Sequence, residues 1–258
     1  MLVPNTTLFI SDIHLSDANP ALQELFLDFL QGPALFAERI FILGDLFDAW
    51  VGKDVNKDFQ EFIKGALKNL SEKGIKLFFM AGNRDFLIQH SFLKEAGIKR
   101  ISDPTIIQLH GIPTLLTHGD RLCTQDIAYQ RYRRIAQNPF TRFLFLSLPR
   151  RMRQNIGQKL RQKSRQYQQT QDIQILDVSL DAVETCMKRY KVPQLIHGHV
   201  HRPNIHDVKL EGAKGKRLVM GDWHTEASLL ISTPTETSLA TYTPATGIKI
   251  KTSYSLGK

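Results

Sequence analysis

The chain has 258 residues, 42% hydrophobic and 23% charged; this is a soluble, globular balance, long enough for one large α/β unit with an insertion or for two small domains. No run approaches the roughly 18 apolar residues of a membrane-crossing helix, and two cysteines, Cys123 and Cys186, exclude a disulfide framework and offer no zinc spacing. The net charge of +9 is regional: eleven Lys or Arg and no Asp or Glu fall between Ile127 and Gln171, leaving 23 basic against 25 acidic residues elsewhere, so this segment calls for an anionic partner such as phosphate, nucleic acid or membrane.

Met1-Leu2-Val3-Pro4-Asn5 lacks the basic and apolar regions of a signal peptide, which predicts a cytosolic protein. Thr7 to Ile10, Ile40 to Leu43, Leu77 to Ala81 and Thr114 to Thr117 read as buried strands. Between the first two, Leu22, Leu25, Phe26 and Phe29 share a helix face; between the second and third, Phe59, Phe62, Ile63, Ala66, Leu67 and Leu70 share another. Strand–helix alternation predicts a largely parallel sheet covered by helices. The basic segment reads as separate helices over Tyr129 to Ile135, Phe143 to Leu148 and Ile156 to Tyr167, broken at Asn138-Pro139 and Pro149. Its apolar patch, Phe140, Phe143, Leu144, Phe145, Leu146 and Leu148, is flanked by Arg142, Arg150, Arg151 and Arg153. Such a pattern suits a helical subdomain packed on the core, and it equally suits a lipid-facing surface. Beyond it, the spacing predicts one helix through Leu176, Leu180, Val183 and Met187. Strands follow at Leu195-Ile196, Leu218 to Met220, Leu229 to Ile231 and Leu239 to Tyr242, the later ones antiparallel.

Each predicted strand of the first half ends in polar residues, at the end where open α/β sheets place their sites. The series is Ser11-Asp12-Ile13-His14, Gly44-Asp45-Leu46-Phe47-Asp48, Gly82-Asn83-Arg84-Asp85 and Thr117-His118-Gly119-Asp120, joined later by His197-Gly198-His199-Val200-His201. Taken singly, an Asp-x-His is most often a surface turn, and Gly-Asp or Gly-Asn is ordinary turn chemistry. Five strand ends offering only carboxylate, imidazole and amide groups are a different matter. Mixed ligands of this kind suit manganese, iron or zinc, and a structural zinc would favour cysteine and need only four donors. The number of donors points to two ions sharing a carboxylate, roughly 3.5–4 Å apart, as in phosphate hydrolysis.

This ordered series resembles that of the calcineurin-like metallophosphoesterases, from Thr7 to about Glu226. The resemblance implies an α/β sandwich, two mixed sheets flanked by helices, with an inserted helical lid. It divides the chain into a core at 1–126 and 172–258 and a basic lid at 127–171. By the same likeness Asp12, His14, Asp45 and His201 would hold one metal, and Asp45 would bridge to a second held with Asn83, His118 and His199. His197 is left as a supporting or structural residue. Within the family, Ile42 to Trp50, Gly82 to Leu87, His118 to Thr124, Gly198 to Pro203 and Gly221-Asp222-Trp223-His224-Thr225-Glu226 are similar to the branch that hydrolyses UDP-diacylglucosamine. That branch gives UMP and 2,3-diacylglucosamine 1-phosphate, with two Mn²⁺ per chain, in lipid A synthesis on the cytoplasmic face of the inner membrane. It implies a lipid substrate and an anionic membrane surface as partners, with no nucleic acid and no obligate protein partner.

Many family members carry His after the motif Asn, where it can protonate an alkoxide. Here that residue is Arg84, a poor proton donor but a bidentate clamp for phosphate oxygens. A phosphate leaving group needs no such acid, so Arg84 favours a pyrophosphate bond; the plain alternative is an ion pair with Asp85 or Asp48. The resemblance makes Asp45, Asn83, Arg84 and His199 catalytic. It makes Asn83, Arg84, Asp126, Ser164 and His199 substrate contacts, with Arg161 a further candidate for the phosphate. The family has Asn and Lys four and seven residues after that Ser, where this chain has Gln168 and Gln171. Two other readings are a phosphodiesterase or nuclease on the same fold and a scaffold without activity. The nuclease has less use for an apolar Phe143 to Leu148, and the scaffold should have lost ligands.

Overall fold

The apolar runs of the first half are strands because both their faces are covered. A computed structural model describes residues 5–171, 173–210 and 213–256. In it β1 (Thr7–Ile10), β2 (Arg39–Leu43), β3 (Lys76–Met80) and β4 (Ile98–Arg100) run parallel, each beside the next. Beyond β1 the sheet continues antiparallel through β10 (Ala227–Ser232), β11 (Glu236–Thr243) and β12 (Gly247–Ser255). A second sheet has the order β5 (Thr105–Leu109), β6 (Ile112–Leu116), β7 (Gln194–His197), β9 (Ala213–Val219), β8 (Asn204–Leu210).

Alternation along each strand divides the core. Phe9, Phe41, Leu43 and Met80 meet Leu116, Ile196 and Leu218 between the sheets. Leu8, Ile10, Ile40, Ile42, Leu77 and Phe79 face outward onto α1 (Pro20–Gln31), α2 (Lys57–Glu72) and α3 (His90–Glu95). Leu115 and Leu195 pack on Val183 and Met187 of α8 (Leu180–Tyr190). The result is two mixed sheets face to face, each covered by helices. The start of α1 follows local chemistry: Asn19 accepts the Leu22 N–H at 3.3 Å and Pro20 fills the first turn.

Two expectations change. The single helix through Leu176 to Met187 is instead α7 (Ile173–Leu176) and α8, because the Asp177 carboxylate takes the Val178 N–H at 2.7 Å and Ser179 caps α8. Short side-chain acceptors compete with the helical ladder at such positions, and Leu180 is left exposed. The late strands are not uniformly antiparallel either. The β8–β9 hairpin reverses the chain, so β9 lies parallel to β7.

The basic segment forms α4 (Ile127–Ala136), α5 (Pro139–Ser147) and α6 (Arg150–Thr170). Phe145 and Leu146 pack on the core, while Phe140 and Phe143 are 69% and 68% exposed. Some of the basicity turns inward. Arg153 donates to the carbonyls of Leu148 and Val51 at 2.9 and 2.5 Å and pairs with Asp54; Arg161 pairs with Asp48, and Arg133 with Asp120. The core's own acids thus help fix α4 and α6, and these three arginines are engaged within the protein.

Candidate metal centre

Parallel neighbours end at the same edge, so the loops after β1, β2 and β3 lie side by side. Asp12 and His14 N–H donate to the carbonyls of Gly44 and Asp45, at 3.1 and 3.0 Å. β6 and β7 do the same in the second sheet, where Gly198 N–H donates to the His118 carbonyl at 2.9 Å. The His199 N–H reaches Asp12 Oδ2 at 2.9 Å and joins the two sheets' loops. Asp12, His14, Asp45, His199 and His201 all take left-handed backbone, φ 52°, 57°, 55°, 71° and 55°. Each such residue costs of order 1–3 kcal/mol, toward the low end for Asp and His, and is kept where the surroundings dictate it. Strain gathered at one edge marks a working site.

The seven candidate ligands converge. Carboxylate and imidazole atoms of Asp12, His14 and His201 lie within 4.8 Å of one another, and so do those of Asp12, Asp45 and His118. Asn83 Oδ1 is 2.9 Å from His118 Nε2, and the His199 ring centre is 5.0 Å from that of His118. Asp12 belongs to both groups, which makes it a candidate to span two ions; Asp45, which the resemblance gives that role, belongs to the second group alone. Gly82 and Gly198 leave the space: a Cβ on them would stand 2.1 Å from Asp45 Oδ1 and 2.2 Å from Asp12 Oδ2. His118 Nδ1 donates to the Leu43 carbonyl at 2.9 Å and so aims Nε2 into the centre.

The electrostatics ask for cations. Burial pushes the Asp45 carboxyl up to about 7, against the pull of His118. Burial also raises Asp12, but His201, His118 and His14 outweigh it and hold Asp12 below the usual carboxylate range. Burial pushes His14 and His199 down to about 3, helped by Arg84 and His118 respectively, so both offer neutral nitrogen. Burial acts on His118 and His201 too, yet the facing carboxylates outweigh it and lift them to about 9 and 10. Without metal, protons on these two rings neutralise the buried carboxylates; divalent ions would replace them, so metal uptake releases protons. Among the described residues His14 Nδ1 is buried without a hydrogen-bond partner, and Asp12 Oδ1 is buried with His201 Nε2 3.3 Å away. Oxygen and imidazole donors, left partly unpaired and jointly anionic, fit divalent metal.

Arg84 sits at the rim. Its N–H donates to Asp45 Oδ1 at 2.9 Å, its Nη1 to Asp48 Oδ1 at 2.8 Å, and its Nε lies 3.6 Å from Asp45 Oδ2. The expected pairing with Asp48 is therefore present; Asp85 instead accepts the N–H groups of Leu46 and Gly82 at 2.7 and 2.8 Å, tying two motif loops together. Asp126 is buried, accepting Tyr129 N–H and Tyr167 O–H at 2.8 and 2.9 Å, so it joins α4 to α6. Ser164 is exposed on α6, and the Gln168 side chain lies outside the described residues. His197 is buried outside both donor groups, with Nδ1 donating to the Gly198 carbonyl at 2.8 Å. Sequence reading missed Tyr129, whose ring centre is 5.8 Å from that of His199 and whose hydroxyl donates to Asp120 at 2.9 Å. It also left Asp222 without a role, although Asp222 stands 3.1 Å from His201 Nδ1. The run Gly221 to Glu226 marked the neighbourhood of Asp222 but not its partner, and nothing local tied Tyr129 to His199, because both histidines come from the loop after β7.

Comparison with known proteins gives one answer. The family profile described as "Calcineurin-like phosphoesterase" matches residues 6–203. A UDP-2,3-diacylglucosamine hydrolase of Azotobacter vinelandii is 43% identical over 225 residues, 87% of this chain and 93% of that one. The one of Pectobacterium carotovorum is 44% identical over 236 residues, 92% and 98% of the two chains. Among solved structures, Vacuolar Protein Sorting 29 from Cryptosporidium parvum superposes with TM-score 0.51 over 98% of both chains at 13% identity, a likeness of fold alone.

Proposed function

Since the chain belongs to the calcineurin-like phosphoesterase family, we propose that it hydrolyses the pyrophosphate bond of UDP-2,3-diacylglucosamine to UMP and 2,3-diacylglucosamine 1-phosphate, a step of lipid A synthesis. The observation that carries the reaction type is the pair of overlapping donor groups with Arg84 at their rim. The substrate class is supported by relatives of that name at 43–44% identity over most of the chain.

Asp12, His14, Asp45, Asn83, His118, His199 and His201 would hold two Mn²⁺, with Asp45 or Asp12 between them. Metal held there supplies activated water and Lewis acidity toward phosphoryl oxygens. The chain's own groups do the rest. Arg84, oriented by Asp48, meets the phosphate oxygens and offsets charge on the departing phosphate. Asn83 and His199, beside His118, fix the phosphorus under attack. Asp126 and Ser164 place the lid at 127–171 over the substrate, with Arg161 toward its phosphates. The exposed Phe140 and Phe143, in a segment rich in arginine, suit peripheral attachment to the anionic cytoplasmic face of the inner membrane. No helix among the described residues is long and apolar enough to cross a membrane, so attachment through this surface is the form proposed.

Protein stripped of metal and reloaded with Mn²⁺ is expected to convert UDP-2,3-diacylglucosamine to UMP, read by mass, and to be silent before reloading. Brisk hydrolysis of bis-p-nitrophenyl phosphate with no UMP would overturn the lipid assignment in favour of a general phosphodiesterase.

A further inference from the structure

An imidazole that binds a metal through Nε2 usually has its Nδ1–H held by an acceptor, which fixes the ring and aims the lone pair. For His118 the tie is the backbone carbonyl of Leu43. Among the described residues, no backbone acceptor of this kind faces His201. Its Nδ1 faces Asp222 Oδ2 at 3.1 Å, while its Nε2 lies 3.3 Å from Asp12 Oδ1 and 3.5 Å from His14 Nε2. We propose that Asp222 is a positioning residue: its carboxylate accepts the His201 Nδ1–H, fixes the ring with Nε2 toward Asp12 and His14, and strengthens that nitrogen as a donor for the ion held there.

The loop carrying Asp222 is built to hold still. It follows β9 directly, Gly221 N–H donates to Ser228 Oγ at 3.0 Å, and the Trp223 indole donates to the Ser228 carbonyl at 3.1 Å. Trp223 is buried against Phe26 and Phe29, and its N–H donates to the Asp12 carbonyl at 3.2 Å. One rigid segment thus supports both Asp12, through its backbone, and His201, through Asp222. The same oxygen, Asp222 Oδ2, also meets His224 Nε2 at 2.8 Å; His224 is 78% exposed, so it steadies the carboxylate from the solvent side while sharing the atom that faces His201. A carboxylate behind a metal-binding histidine typically accounts for 10- to 100-fold in metal affinity, roughly.

The inference rests on the metal reading of the site, and calorimetric titration of metal-free protein with Mn²⁺ tests the two separately. Asp222→Ala should weaken one of two binding events about 10- to 100-fold and leave the other near its wild-type affinity. Asp222→Asn keeps an acceptor oxygen without the charge and should fall between. Near-UV circular dichroism of Trp223 should match wild type in both variants. Equal affinities for wild type and Asp222→Ala would overturn the role of Asp222 alone, as would equal weakening of both events. A wild-type protein that takes up no Mn²⁺ would overturn the metal reading and this inference with it.

Discussion

Replacing Asp45 by Asn is expected to abolish hydrolysis, by at least about 10³-fold, while leaving the fold intact. Asn keeps the Oδ1 acceptor that the Arg84 N–H uses at 2.9 Å, and it keeps the volume against which Gly82 packs. What it removes is a negative charge at the centre of the donor set. Stability should move the other way. Burial pushes the Asp45 carboxyl up to about 7 from its ordinary value of 3.8. An acid with a raised folded pKa is deprotonated first in the unfolded chain, so stability falls as pH rises from about 4 through 7 and is flat beyond. The neutral variant escapes that loss. In chelator, Asp45→Asn should therefore melt above wild type at pH 8, with the gap closing toward pH 4. Adding Mn²⁺ should raise wild type more than the variant, because only wild type keeps the full donor set. A variant that still turns over would remove Asp45 from the chemistry.

Arg84→Ala is expected to lower kcat about 10²-fold or more, with a smaller change in KM. An interaction that grows as charge moves onto the departing phosphate belongs to the transition state, and its loss appears in kcat. Arg84→Lys should recover little, because an ammonium cannot bond two phosphate oxygens in the plane that a guanidinium can. Asp48, which Arg84 meets at 2.8 Å and which also receives Arg161, sets that plane and ties α6 to it. If Arg84 served only as a partner for Asp48, Arg84→Ala would leave kcat within a few-fold of wild type and lower the melting temperature instead. Steady-state kinetics beside a thermal melt separates the two.

The site was more legible in the sequence than the frame around it, for a physical reason. Metal donors must be polar, and they stand where apolar strands stop, so Asp12, Asp45, Asn83 and His118 show as abrupt changes of residue type. The strands that sequence reading missed, β4, β5, β8 and β12, are the four sheet edges. Edge strands carry polar, charged positions that break the apolar run, as Lys249 and Lys251 do in β12. The same limit hid the supporting residues. Asp222 serves His201 only because β9 lies beside β7, and Tyr129 reaches His199 only once α4 has docked through Asp120 and Arg133. The basic segment was read as charge seeking an outside partner, whereas Arg133, Arg153 and Arg161 bond the core. Spacing along a chain shows which residues share an element, but not which elements become neighbours.

The most direct test of the account is a single turnover of UDP-2,3-diacylglucosamine in ¹⁸O-labelled water with Mn²⁺ present. Attack of water on phosphorus in the pyrophosphate bond places one labelled oxygen in one of the two product phosphates, either UMP or the lipid phosphate, and none in the sugar. Release of UDP with the label on the sugar hydroxyl would mean cleavage at the sugar carbon, and would contradict both the proposed reaction and the part given to Arg84.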